Sequence, residues 1–198
     1  MDLEQQRAEA GGGLEPAFDI GTELTTCSGL TIPVRSADET DEAMLAEFCT
    51  HVTPEDLRFR VLSAIQTVAH AQLAVLTQVD HRRVENFLAF DIVTGCLLAS
   101  AMLAIEDDVE RAEVAVVIRS DFKNRGIGWS LLDHAAAQAA AMGVKTLQAI
   151  ELPDNRTAIR VELDMGFTSR PYPGDATLTL LEKSLAGVGP EATERSAA

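Results

Sequence analysis

The feature that most constrains this chain is a strand that empties into a glycine-bearing turn, then a helix, then a second strand. Val114–Ile118 is a continuous apolar run, Arg119–Gly128 is polar with glycines at 126 and 128, and Trp129, Leu132, Ala136 and Ala139 recur at helical spacing. Gly143 supplies a helix stop, and Val144–Leu152 reads as the next strand. A strand, a crossover helix and a strand make a βαβ unit, so these strands are expected to be parallel with a right-handed crossover. The turn also has a chemical consequence. The first N–H groups of a helix lack intrahelical partners and the macrodipole adds positive charge there, so an anion is favoured. Gly126 and Gly128 put no Cβ between that anion and the main chain.

Upstream, residues 1–28 hold Gly11–Gly13, many charges and no sustained period, and read as a mobile leader. Leu30–Arg35 is a candidate first strand, with Pro33 favouring a sheet edge. Ser36 and Asp38 are candidate caps for a helix carrying Ala43, Met44, Phe48 and Cys49. Thr53-Pro54-Glu55-Asp56 has the form of a second helix start, followed by the stripe Leu57, Val61, Leu62 and Ile65. Residues 68–79 are apolar without a decisive period.

Glu85–Asp91 and Cys96–Ile105 read as strands of a hairpin, and Ala112–Arg119 as the strand that leads into the turn. Asp154-Asn155 is expected to cap a last helix carrying Ala158, Val161 and Met165 and ending at Gly166. Two final strands, Phe167–Arg170 and Ala176–Leu181, flank the Pro171-Tyr172-Pro173-Gly174 turn, and residues 187–198 read as a disordered tail. The expected fold is α/β: a mixed, mostly antiparallel sheet of about seven strands with a central parallel βαβ pair and helices on both faces.

Composition narrows the functional classes. A formal net charge of −15 argues against non-specific binding to nucleic acid or anionic membranes. No apolar run reaches the ~18 residues of a membrane span. Cys27, Cys49 and Cys96 are scattered without metal-ligand spacing, which suits a reducing cytoplasm. His51, His70, His81 and His134 likewise share no ligand spacing, so no metal is expected. His134 reads as a helix-surface residue, and Trp129 as packing its helix onto the sheet.

Lys123-Asn124-Arg125-Gly126-Ile127-Gly128 lacks the Gly-Lys-Ser/Thr ending of a nucleotide P-loop and the third glycine of a dinucleotide fingerprint. Downstream stand Asn155-Arg156-Thr157-Ala158 and Met165-Gly166-Phe167. This constellation resembles the GNAT superfamily of acetyl-CoA-dependent N-acyltransferases. That family's motif is [Gln/Arg]-x-x-Gly-x-[Gly/Ala] after a strand, then Asn-x-x-Ala and Gly-Phe. Lys123 stands where Gln or Arg is usual, and the resemblance spans residues 29–186, the expected catalytic domain. Ala112-Glu113-Val114-Ala115, Thr53–Arg60 and Val79–Arg83 are further similar to the bacterial protein lysine acetyltransferase branch. The large domains often fused in that branch are not expected within these residues.

The resemblance implies acetyl-CoA as co-substrate. It implies backbone amides of Asn124, Arg125, Gly126, Ile127, Gly128 and Trp129, with Lys123, around the pyrophosphate. Main-chain groups of Val116, Val117 and Ile118 would pair with the pantetheine arm, and Asn155 would bond the coenzyme near that arm. Glu113 is the implied general base. It shares a strand face with Ala115 and Val117, where partial burial would raise its pKa. Many family members carry a Tyr on the last helix as general acid. Here that position is Glu162, which leaves the role vacant; Tyr172, the single tyrosine, sits in a later turn.

The expected activity is acetyl transfer to a primary amine in the cytoplasm. The acceptor is a protein lysine or a small-molecule amine, and a homodimer is compatible with this reading. The reading from another class is a non-catalytic GNAT-fold module that binds acyl-CoA or a protein partner.

Overall fold

The computed structural model describes residues 21–53, 56, 76–77 and 79–186. Most of the expected second helix and of the apolar segment 68–79 falls outside the described residues, as do residues 1–20 of the expected leader and the expected tail, 187–198. The start of the second helix is visible: the Thr53 hydroxyl accepts from the Asp56 N–H at 3.2 Å, as a helix cap does.

Eight strands form one sheet: β1 (Thr22–Thr25), β2 (Thr31–Ser36), β3 (Val84–Phe90), β4 (Leu97–Ile105), β5 (Arg111–Ile118), β6 (Thr146–Glu151), β7 (Thr168–Tyr172) and β8 (Asp175–Ser184). Their order is β1-β2-β3-β4-β5-β6-β8-β7. Every pairing is antiparallel except β5 with β6. The described helices are α1 (Glu42–Thr50), α2 (Ile127–Ala141) and α3 (Arg156–Asp164). The α/β mixed sheet with a central parallel pair is as expected, but it has one strand more. The additional strand, β1, lies inside the stretch that composition alone assigns to a leader. Its four residues Thr22–Thr25 are too few to show a period, and its stability comes from pairing with β2.

Two apolar clusters cover the sheet. On one face Ile127, Leu131, Leu132, Ala135, Ala136 and Ala139 of α2 pack on Ala112 and Val114 of β5 and Leu147 and Ala149 of β6. The run of alanines lets α2 approach the sheet closely. On the other face Leu45 and Phe48 of α1, with Val52, pack on Leu88, Phe90, Leu97 and Val117. Polar contacts fix how α1 enters. Asp38 caps the turn before it, and Arg35 of β2 meets Asp41 through paired bonds of 2.7 and 2.6 Å.

Two expected packing roles differ. Trp129 is 41% exposed and does not pin α2 to the sheet, because the buried stripe starts at Ile127 and Leu131 and leaves residue 129 at its edge. His134 is half-buried, with its ring edge-on to Phe87 at 4.8 Å, and burial lowers its pKa. Leu131 is fully buried between α2 and the sheet. Leu131→Ala is expected to cost about 3 kcal/mol of unfolding free energy in a denaturant titration, the usual range for a core leucine that leaves a cavity.

Candidate functional site

The site begins where the parallel ladder ends. β5 and β6 pair through Arg111–Thr146, Ala112–Leu147 and Glu113–Gln148 and no further, although both strands continue. Beyond Glu113 the strands part, so peptide groups on that edge of β5 lose their ladder partners. β4 stays paired with the opposite edge as far as Ile118. A strand edge opened in this way can take up an extended ligand as an added strand.

A cavity of about 190 Å³ lies in the gap. Val114, Val116, Val117 and Ile118 of β5 line one side, and Glu151, Asn155, Ala158, Val161 and Glu162 line the other. Lys123, Asn124 and Gly128 of the glycine turn close one end. Of the residues expected at a coenzyme site, Val116, Val117, Ile118, Lys123, Asn124, Gly128 and Asn155 therefore meet at one cavity. Arg125, Gly126, Ile127 and Trp129 belong to the same turn but do not line the cavity itself.

The turn has the form of an anion cradle. Asn124 and Gly126 both have positive φ (62° and 80°), which folds the main chain back just before α2. The Ser130 N–H donates to the Gly126 carbonyl, leaving the N–H groups of Ile127, Gly128 and Trp129 without intrahelical partners. Positive φ makes glycine the fitting residue at 126, whereas at 128 a side chain would meet only the end of Ile118. A Cβ on Gly126 would stand 2.8 Å from Cys27 Sγ, and one on Gly128 would stand 2.9 Å from Ile118 Cδ1. The β1–β2 turn thus braces the cradle, and the Ser28 hydroxyl donates to the Arg125 carbonyl at 2.8 Å. Sequence offered no sign of this brace, because it joins residues 97 positions apart.

Glu113 is the last residue of the parallel ladder, at the point of separation. It is half-buried on the sheet face of Val117 and α1, and burial raises its pKa. It does not line the cavity; Val114, the next residue, does. Among the described residues its carboxylate has no hydrogen-bond partner.

The opposite sheet face carries a group of carboxyls that the expected site did not include. Glu151 ends β6 on the same face as Leu147 and Ala149, and it is 8% exposed. Glu162 of α3 is 5% exposed. Burial pushes both upward, Glu151 to about 7 and Glu162 to about 8; Glu151 opposes ionisation of Glu162, whereas the hydrogen bond from Glu162 favours the charged form of Glu151. Glu162 hydrogen-bonds Glu151, yet its Oε2 has no partner. Asn155 Nδ2 donates to Glu151 Oε2 at 2.7 Å, so Asn155 stands at the helix N-cap position but does not cap α3 with its side chain. Lys123 reaches Asp56 Oδ2 at 2.5 Å, placing a further carboxylate at the cavity. A sequence signal existed: Glu162 falls between Val161 and Met165 on an otherwise apolar stripe, and Glu151 falls on the inward phase of β6.

This carboxyl pair has a stability consequence. Both carboxyls bind protons more tightly folded than unfolded, so stability is greatest below their ordinary pKa and falls as pH rises toward the folded values. Between about pH 5 and 8, wild-type melting temperature is expected to fall more steeply than that of Glu162→Gln. Near pH 8 the variant is expected to be the more stable by on the order of 2 kcal/mol.

Among the described residues no helix is long and apolar enough to cross a membrane, and no group of three His, Cys, Asp or Glu side chains is placed to hold a metal ion.

Comparison with known proteins follows the same lines. A family model described as the acetyltransferase (GNAT) family matches residues 57–167, more than half of the chain. The fold is similar to the GNAT domain of PAT from S. lividans, with a TM-score of 0.74 and 23% identity over 82% of this chain and 96% of that one. It is also similar to a mutant of a cAMP-binding acyltransferase from Mycobacterium smegmatis, with a TM-score of 0.60 and 22% identity over 87% of this chain but 50% of that one. A spermidine N-acetyltransferase from Vibrio cholerae, in complex with CoA and spermine, has a TM-score of 0.62 at 11% identity, over 78% of this chain and 95% of that one. With its parallel pair opening onto a glycine turn and a matching family model over that region, this chain belongs to the acetyltransferase (GNAT) family.

Proposed function

We propose that this protein transfers the acetyl group of acetyl-CoA to a primary amine by direct attack, with a protein lysine as the first-choice acceptor. The observation that carries this reading is the cavity between the diverging strands, continuous from the glycine turn to the end of the β5–β6 ladder. The turn suits the pyrophosphate: unpartnered N–H groups at a helix N-terminus, presented by a turn with positive φ at Asn124 and Gly126. The unpaired edge of β5 at Val116–Ile118 suits the amide-bearing pantetheine arm, and Asn155 on the facing wall can bond it.

The chemistry follows from the order of charges. An amine is protonated at neutral pH and attacks only after losing a proton. Glu113, with its pKa raised by burial and no competing partner among the described residues, is suited to take that proton directly or through water. A main-chain N–H near Val117 or Ile118 would meet the developing oxyanion. Resemblance to the protein lysine acetyltransferase branch favours lysine. A small cationic amine is the second reading, favoured by the net charge of −15.

The test is coenzyme-dependent thiol release with lysine peptides and polyamines in one panel. Glu113→Gln is expected to lower kcat by about 10²-fold or more and to remove the acidic limb of the pH profile, since activity in the wild type rises as Glu113 ionises. Unchanged kcat and an unchanged acidic limb would remove Glu113 from the base role. Gly126→Ala is expected to weaken CoA binding by about tenfold in calorimetry, because positive φ and the Cys27 contact both force the turn to move.

A further inference from the structure

Glu162 is a buried carboxyl that forms part of a cavity wall and has one oxygen without any partner. Such an atom is costly to bury unless something fills its need, and the cavity it lines is where such a group can enter. Its position relative to Glu113 is informative. Glu113 pairs in register with Gln148, three residues before Glu151, so Glu113 and Glu151 project from opposite faces of the sheet. Glu162 hydrogen-bonds Glu151 and shares its side. A group lying in the gap between β5 and β6 would have Glu113 on one flank and the Glu162–Glu151 pair on the other.

We propose that Glu162, held by Glu151, is the proton donor to the departing coenzyme A thiolate, an assignment that rests on the acetyl-transfer reading above. The ammonium proton passes through Glu113 to solvent; the neutral amine nitrogen then forms the C–N bond to the acetyl carbon, and its surplus proton goes to the freed Glu113. The C–S bond breaks with its electron pair moving to sulfur, which takes the Glu162 proton to leave as a thiol. Glu162 is left as a carboxylate and regains a proton from solvent as Glu113 releases one, so the cycle balances. The broad, two-fold terminal torsion of a glutamate lets its O–H turn between Glu151 and the cavity.

Two further features suit the role. A carboxylic acid must still hold its proton at neutral pH in order to give it away, and burial beside Glu151 keeps Glu162 protonated there. A donor also works best when its pKa is close to that of the group it protonates, and a thiol of ordinary pKa near 8.5 is such a group. The position that sequence leaves vacant for want of a tyrosine is thus filled by a different acid. Asn155 and Asp56 complete the environment: Asn155 holds Glu151, and the charge of Asp56 resists ionisation of Glu151.

The experiment compares the full-length wild type, Glu162→Gln and Glu162→Tyr, using acetyl-CoA and an acceptor from the amine panel. Glu162→Gln keeps the shape and hydrogen bonding but has no proton to donate. It is expected to lose about 10- to 100-fold in kcat, at the low end for general acids because a thiolate leaves readily. Its acetyl-CoA affinity by calorimetry and its acceptor KM should be unchanged, and the basic limb of the wild-type pH profile should vanish. Glu162→Tyr restores an O–H and should recover part of kcat, with the basic limb moved toward the tyrosine range near 10.

A Glu162→Gln enzyme with wild-type kcat and an intact basic limb overturns the donor while leaving acetyl transfer standing. So does a loss confined to acceptor KM, which would make the pair a site for the cationic amine. A wild type that releases no thiol with any acceptor overturns acetyl transfer and the donor together.

Discussion

The structure depends on a ladder that stops early. After Glu113 and Gln148 the parallel strands no longer share hydrogen bonds, and the peptide groups beyond that point must find another partner. In a buried sheet this would be a defect. Here the two strands are held from outside the gap: β4 stays paired along β5, and β8 stays paired along β6 to Glu151. The strands beside the opening are thus anchored on their outer edges, and α3 is set across the gap through Ala158, Val161 and Glu162.

That frame sorts the chemistry by position. The glycine turn lies at one end of the gap, shaped by positive φ at Asn124 and Gly126 and supported by the β1–β2 turn through Ser28 and Cys27. The carboxyls lie on opposite faces of one sheet. Glu113 projects from the sheet face that α1 covers, while Glu151 projects from the face that α2 covers and Glu162 reaches it from α3. The same burial raises the proton affinity of all three. What differs is partnership. Glu113 has no hydrogen-bond partner among the described residues, and Glu162 is tied to Glu151. An unpartnered carboxylate suits proton uptake, and a neutral carboxyl held by its neighbour suits proton release.

Much of this was legible in the chain. The strand into the turn, the stops at Gly143 and Gly166 and the Gly-Phe at 166–167 have local causes: an apolar run, a left-handed residue at a helix end, a cap. Most of the described elements appear within two or three residues of their expected places. Trp129 and Asn155 mark where local pattern misleads. Trp129 has helical spacing with Leu132 and Ala136, but how α2 rolls on the sheet is set by the buried side chains from Ile127 to Ala139. Asn155 is in cap position, yet its Nδ2 donates to Glu151 and its side-chain carbonyl oxygen accepts from no N–H of the first helical turn.

The sequence by itself determined the family, the order of elements and the turn that can hold an anion, because those rest on interactions among residues close in the chain. Tertiary structure alone decided three further things: that the β1–β2 turn braces the glycine turn, that β5 and β6 separate after three pairs, and that Glu162 is a buried acid where a surface glutamate would be ionised. The physical reason is the same for each. A strand of four residues, an unpaired strand edge and a shifted proton affinity are set by partners far away in sequence and by exclusion of water, and neither is written into local pattern.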